Sequence, residues 1–213
     1  MDVAGILIIG VLAAVVVVSL TGRRESAKRA RLLRGTGFGF MGFFVGVFGA
    51  FIVAETINDP GGWKGAGLVA SWLVPLVILA LMAWLRPNLA GWILIPLVAI
   101  VVGLSIWFAI DPVGWRSFEN RNGPVRVVLT FALSAPLALW GLRQTMQAAL
   151  SLLILGVLPA VIAAFAGRGG MASLAVASFA PIVTGVLYLS AAYQDRRQPP
   201  PGEVASPANP RAA

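Results

Sequence analysis

The chain has 213 residues, of which 59% are hydrophobic and 11% charged, and its formal net charge is +8. A soluble domain usually has about 25% charged residues, so the composition excludes a soluble globular fold. The basic residues lie between apolar blocks, which also excludes a solvated nucleic-acid-binding surface. Cysteine and histidine are both absent, which excludes disulfides, thiolate chemistry and sites built on imidazole.

Seven apolar blocks follow one another along the chain, and each is long enough to cross a bilayer as a helix of about 20 residues. They cover residues 3–20, 37–57, 66–85, 89–110, 124–142, 146–166 and 171–193. A backbone in lipid must satisfy its own hydrogen bonds. We therefore expect an all-α fold, a polytopic transmembrane helical bundle of about seven spans over residues 1–193. Residues 194–213 include three consecutive prolines and are expected to form a disordered cytoplasmic tail.

The first block has no lysine or arginine before it, and a dense basic cluster follows it. The positive-inside rule keeps such a cluster in the cytoplasm, so we expect an uncleaved span with its amino terminus outside. The cluster is also expected to contact anionic lipid headgroups. Its members are Arg23, Arg24, Lys28, Arg29, Arg31 and Arg34. Arginine outnumbers lysine 14 to 2, which we interpret as a GC-rich bacterial gene and hence a bacterial inner membrane.

The second block carries glycines at spacings of 4, 3, 4 and 3, which place them on one helix face. They are Gly35, Gly39, Gly42, Gly46 and Gly49. Small residues let two helices approach closely in lipid, so this stripe predicts a packing seam for another helix of the same or another chain, or for a homo-oligomer. The order Gly37-x-Gly39-x-x-Gly42 also fits the dinucleotide fingerprint, which requires a preceding strand and is therefore rejected.

Near the outer end of the second block, Glu55 is the only ionisable side chain well inside a predicted span. Intramembrane carboxylates often serve as proton or cation sites, but one at this depth can also simply reach the interface. Other charged residues lie in the outer turns, at a level that we call the predicted outer rim. The candidate polar site there comprises Glu55, Asp59, Asp111, Arg116, Glu119 and Arg121. Paired carboxylates could perform acid–base chemistry, and arginine with tryptophan could hold a lipid headgroup or sugar. Alternatively, these residues are solvated loop charges without a specific function.

The outer turns at residues 59–64 and 111–116 share the pattern Asp-Pro-x-Gly-Trp-basic. Parallel repeats of this kind occur in transporters, although turns favour these residues in any case. Each of the last five blocks also contains an interior proline. Such a proline can kink the helix and serve gating, or it can have no role beyond packing. The fifth block has the shortest uninterrupted apolar run, with Arg126 near its start, so six spans are the alternative to seven.

The stretches 59–63 and 111–124 resemble those of uncharacterised multi-pass membrane proteins of GC-rich bacteria. This resemblance implies a membrane location and no particular activity. Seven spans with an outside amino terminus are also similar to retinal proteins, but the last block has no lysine for a Schiff base, which excludes that family.

These patterns favour a non-enzymatic structural or accessory protein of the cell envelope. A small transporter using Glu55 and the polar residues of the predicted outer rim is the first alternative. An enzyme acting on lipid at the outer face, through Asp111 or Glu119, is the second. No catalytic residue, metal ligand set or cofactor is predicted.

Overall fold

The computed structural model describes residues 26–56, 62–122, 125–165 and 171–196. These residues form seven α-helices. They are α1 (Ser26–Thr56), α2 (Gly62–Leu85), α3 (Pro87–Ile110), α4 (Pro112–Asn122), α5 (Val125–Gly141), α6 (Thr145–Phe165) and α7 (Met171–Arg196). The first predicted span, at residues 3–20, and the tail from residue 197 onward lie outside the described residues.

The prediction of an all-helical chain with several long apolar helices is confirmed for the described residues. Five helices, α1, α2, α3, α6 and α7, contain stretches long and apolar enough to cross a bilayer. Helices α4 and α5 meet at a bend of 71° and together could supply a sixth crossing. The chain is therefore a helical membrane protein.

Helix α1 begins at Ser26, 11 residues before the predicted span, so most of the basic cluster lies on a helix and not in a loop. Arginine, lysine, leucine and alanine are all good helix formers, which explains why the helix continues beyond the apolar block. One face of α1 packs against the rest of the bundle, and its buried residues are Ala30, Leu33, Gly37, Met41 and Phe44.

The centre of the bundle is α5, which contacts α1, α2, α3, α6 and α7. It is 17 residues long, and ten of these residues are buried. The block that looked weakest as a span is thus the helix most enclosed by other helices. A helix surrounded by protein needs less lipid-facing hydrophobic length than one exposed to lipid, because its neighbours cover it.

The side chain of Tyr188 on α7 packs against both α1 and α5. Its ring is fully buried, and a Cβ added at Gly37 of α1 would lie 2.9 Å from its Cε1 atom. Gly141 of α5 touches the other edge of the ring, where an added Cβ would lie 3.0 Å from Cζ and closer still to Cε2. The hydroxyl donates a hydrogen bond to the Ala138 carbonyl oxygen at 2.7 Å. Only glycine lets both backbones come this close to the ring.

The pair α6 and α7 forms the most extensive helix contact of the described chain. Gly156 of α6 faces Ile182, whose Cγ1 atom would lie 2.7 Å from an added Cβ. Gly185 of α7 faces Leu153 in the same way, at 2.8 Å from Cγ. Each helix therefore offers a glycine to a branched side chain of the other, which is the small-residue packing expected between helices in lipid.

Single non-helical residues connect α2 to α3 and α3 to α4. Arg86 has φ −135° and ψ 66°, and Asp111 has φ −123° and ψ 81°. A proline follows each of them, and a residue before proline is sterically driven out of the helical region. Pro87 and Pro112 then begin the next helices, where the missing N–H costs nothing. At the start of α2, Gly62 has φ +56°, a conformation that favours glycine.

Candidate functional site

The segment 111–124, where we expected an outer turn, contains the 11-residue helix α4. Asp111 caps this helix, because its Oδ1 atom accepts a hydrogen bond from the backbone N–H of Gly114 at 2.9 Å. Aspartate is among the preferred residues at this position, and proline is preferred at the next. The pattern Asp-Pro-x-Gly here starts a helix, and the carboxylate of Asp111 serves as its N-cap.

The other described members of the candidate polar site lie on α4. Arg116 is exposed and Glu119 half-buried. Arg121 is exposed and bonds within its own helix, from Nη2 to the Ser117 hydroxyl at 3.0 Å and from Nε to the Ser117 carbonyl oxygen at 3.3 Å. The side chain of Glu55 and the whole of Asp59 lie outside the described residues. The candidate polar site as a whole therefore stays a prediction.

The geometry instead centres on Arg126, in the first turn of α5. Its side chain is only 6% exposed, and its guanidinium carbon lies 3.8 Å from the centroid of the Phe108 ring and 5.0 Å from that of Trp115. Cations bind the faces of aromatic rings at these distances. Leu104, Phe118, Val127 and Ala163 complete an apolar shell from α3, α4, α5 and α6.

Three donor atoms in this cluster have no hydrogen-bond partner in the part of the chain that the structure describes. They are Nε and Nη1 of Arg126 and Nε1 of Trp115, and all three are buried. Buried polar groups are bonded in the great majority of cases. From the sequence, Arg126 was expected near the start of the fifth span. Its position inside the apolar block, 11 residues after Trp115, is the signal that could have indicated their contact.

The two copies of the Asp-Pro-x-Gly-Trp pattern place their tryptophans in opposite environments. Trp63 is 93% exposed, whereas Trp115 is fully buried and meets Trp107 edge to face, with ring centroids 5.2 Å apart. The shared pattern therefore does not produce two equivalent sites among the described residues.

The glycine stripe of α1 faces away from the packed bundle. A Cβ added at Gly35, Gly39, Gly42 or Gly46 meets no described atom within 4 Å, and one at Gly49 only touches the Phe131 ring at 3.9 Å. At 100° per residue, this face lies about 160° from the packed face of α1. The predicted seam is therefore an apolar surface without a neighbour in the described chain.

At the opposite end from Arg126, part of the predicted lipid-binding cluster has protein partners. Nη1 of Arg34 lies 3.5 Å from Oδ2 of Asp195 on α7 and 3.5 Å from the Thr145 hydroxyl on α6. Lys28 and Arg31 are exposed, and Arg23 and Arg24 lie outside the described residues. Arg34 thus helps to hold three helices, and lipid contact by its neighbours stays a prediction.

A groove of about 560 Å³ opens beside α3 and α6 at that same end. Its polar lining consists of Asn88, Gln144 and Gln147, and Nε2 of Gln144 donates to Oδ1 of Asn88 at 2.7 Å. In the part of the chain that the structure describes, no three carboxylates come together as ligands for a metal ion.

The chain is thus a helical membrane protein with a glycine face on α1 and a buried arginine, Arg126, in the first turn of α5. Comparison with protein-family models, with curated proteins and with solved structures gives no match.

Proposed function

We propose that the protein is a non-enzymatic structural or accessory protein of a bacterial inner membrane, which works by lateral association through the glycine face of α1. The observation that carries this proposal is the open glycine stripe opposite the packed face. We further infer seven spans with an outside amino terminus. This count combines the five long helices, a crossing by α4 and α5 and the apolar block at residues 3–20. The distribution of basic residues supports the orientation.

A second copy of the chain is the occupant that fits this face best. The exposed arc of α1 runs from Phe38 through Gly42 to Val47, about 180° of the helix circumference at 100° per residue. A neighbouring helix of equal diameter covers about 60°, so this arc has room for more than one helix. A glycine stripe is self-complementary, since two copies related by a twofold axis offer each other the same small residues.

The absence of cysteine makes a direct test simple. We expect Gly42→Cys to form a covalent dimer when membranes are treated with a short bifunctional maleimide. Met41→Cys is the matched control, because Met41 lies one residue away on the packed face and is only 1% exposed. It should give no dimer.

A pair of leucine substitutions separates association from folding. Gly42→Leu should convert a dimer in mild detergent to a monomer while leaving the unfolding temperature unchanged, because an added Cβ at Gly42 meets no described atom. Gly37→Leu should lower the unfolding temperature, because Gly37 packs against Tyr188. Two results together would refute the proposal: a monomeric wild type, and a crosslink within one chain of the double variant Gly10→Cys/Gly42→Cys. The glycine face would then be covered by the same chain.

A further inference from the structure

We propose that Arg126 and Trp115 form a binding site for the phosphate group of a membrane phospholipid. This inference is independent of the proposed self-association, because the site lies on α3, α4 and α5, away from the glycine face. Two nitrogens of a permanent cation and one indole nitrogen are buried there together, without an acceptor among the described residues. Leaving such donors unsatisfied is unfavourable, and most of all for a charged group.

The missing partner is a hydrogen-bond acceptor, and one with negative charge complements the guanidinium best. Arginine and the indole N–H donate hydrogen bonds and accept none, so a second donor or a neutral apolar group would not satisfy them. Arg126 is the second residue of α5, where the partial positive charge of a helix amino terminus also favours an anion. Phosphate oxygens are established partners of the guanidinium group.

The described carboxylate whose charge acts on Arg126 does not supply this partner. Glu119 lies on α4, one turn after Trp115, and its charge acts on Arg126. Nevertheless neither Nε nor Nη1 of Arg126 has a hydrogen bond. The rings of Phe108 and Trp115 lie against the guanidinium group, and its Nε and Nη1 donors have no acceptor among the described residues.

The position of the cluster indicates a lipid as the source of the phosphate. Arg126 lies where the apolar helix α3 ends and the polar helix α4 begins. Trp107, Trp115 and Phe118 form an aromatic group at the same level, with centroids 5.2 to 5.4 Å apart. Tryptophan is enriched at the headgroup level of a bilayer, which is where a phospholipid presents its phosphate.

The test measures lipid bound to the purified full chain by native mass spectrometry after exchange into lipid-free detergent. The probes are a short-chain phosphatidylglycerol, the matching diacylglycerol without phosphate, and inorganic phosphate. We expect one phosphatidylglycerol per chain, at least tenfold weaker binding in Arg126→Gln, and unchanged binding in Arg121→Gln. Arg121 is the matched control because it lies on α4 but bonds to Ser117 of its own helix. Equal binding of the diacylglycerol, equal binding of inorganic phosphate, or full binding by Arg126→Gln would each overturn the proposal.

A second measurement does not depend on the folding of an Arg126 variant. With ¹⁵N-labelled tryptophan, the chain gives indole N–H signals from seven residues, and Trp115→Phe identifies the one from Trp115. Phosphatidylglycerol should shift the Trp115 signal to lower field as its N–H gains an acceptor, and the diacylglycerol should not. A Trp115 signal that does not respond to phosphatidylglycerol would also overturn the proposal.

Discussion

The substitution Gly141→Ala tests the central packing contact of the bundle. The added methyl group would overlap Cε2 of Tyr188 and lie 3.0 Å from its Cζ atom. The ring cannot retreat, because Gly37 borders its other edge and its hydroxyl is bonded to the Ala138 carbonyl oxygen. Overpacking of a core lowers the free energy of unfolding by about 1–3 kcal/mol. Because the ring is held on both sides, we expect a loss of about 3 kcal/mol here. The folded-to-unfolded ratio should fall about 150-fold, since about 1.4 kcal/mol corresponds to a factor of ten.

The assay is equilibrium unfolding in detergent micelles, followed by tryptophan fluorescence. Gly103→Ala on α3 is the matched control, because its new Cβ meets no described atom and it lies outside the glycine face. It should not lower the free energy of unfolding, since alanine is a better helix former than glycine. In the double variant Gly141→Ala/Tyr188→Ala the overlap disappears, so the two substitutions should show a coupling energy of about 2 kcal/mol. Equal stability of Gly141→Ala and the wild type would refute the reasoning that this contact sets the position of α5.

Three further predictions concern single contacts and topology. Trp140→Phe removes the 2.8 Å bond from Nε1 to the Pro87 carbonyl oxygen and should lower the free energy of unfolding by about 1 kcal/mol. Trp92→Phe, at an 82% exposed position, should not change it in the same denaturation assay. Asp111→Ala should speed amide hydrogen exchange in α4 through loss of a cap of about 1 kcal/mol, whereas Asp111→Asn should match the wild type. A defect in Asp111→Asn would indicate a role for the charge instead. Single cysteines should react with an impermeant maleimide in intact cells at positions 64, 120 and 168 but not at 87, and labelling at 87 would contradict the proposed orientation.

The lengths of the hydrophobic blocks predicted the long helices well, because helix-breaking residues such as proline and glycine lie at the ends of the lipid-facing segments. The block 66–85 became α2 with the same last residue, and 89–110 became α3 after Pro87. The start of α1 was missed by 11 residues, since hydropathy marks where lipid is and not where helical hydrogen bonding begins. Helix α4 was expected as a loop because Asp-Pro-x-Gly is common both to turns and to helix starts.

Pairing between distant residues could not be read from the sequence. The spacing correctly grouped Gly35, Gly39 and Gly42 on one face, but both faces of α1 are apolar. Which of them meets the bundle depends on Gly37 fitting against Tyr188, 151 residues later. The same holds for Arg126, whose burial results from Phe108 and Trp115 on two other helices.

The location of α2 at the edge of the bundle has a consequence for how this gene can change over evolutionary time. Only 6% of its most apolar stretch is buried inside the protein, against 67% for α7. Lipid tails adapt to side chains of any shape, so α2 should tolerate exchanges among leucine, isoleucine, valine and phenylalanine at most positions. Helix α5, in which ten of 17 residues are buried, should accept few of these exchanges. Related genes should therefore diverge fastest in the segment that encodes α2 and slowest in the segment that encodes α5.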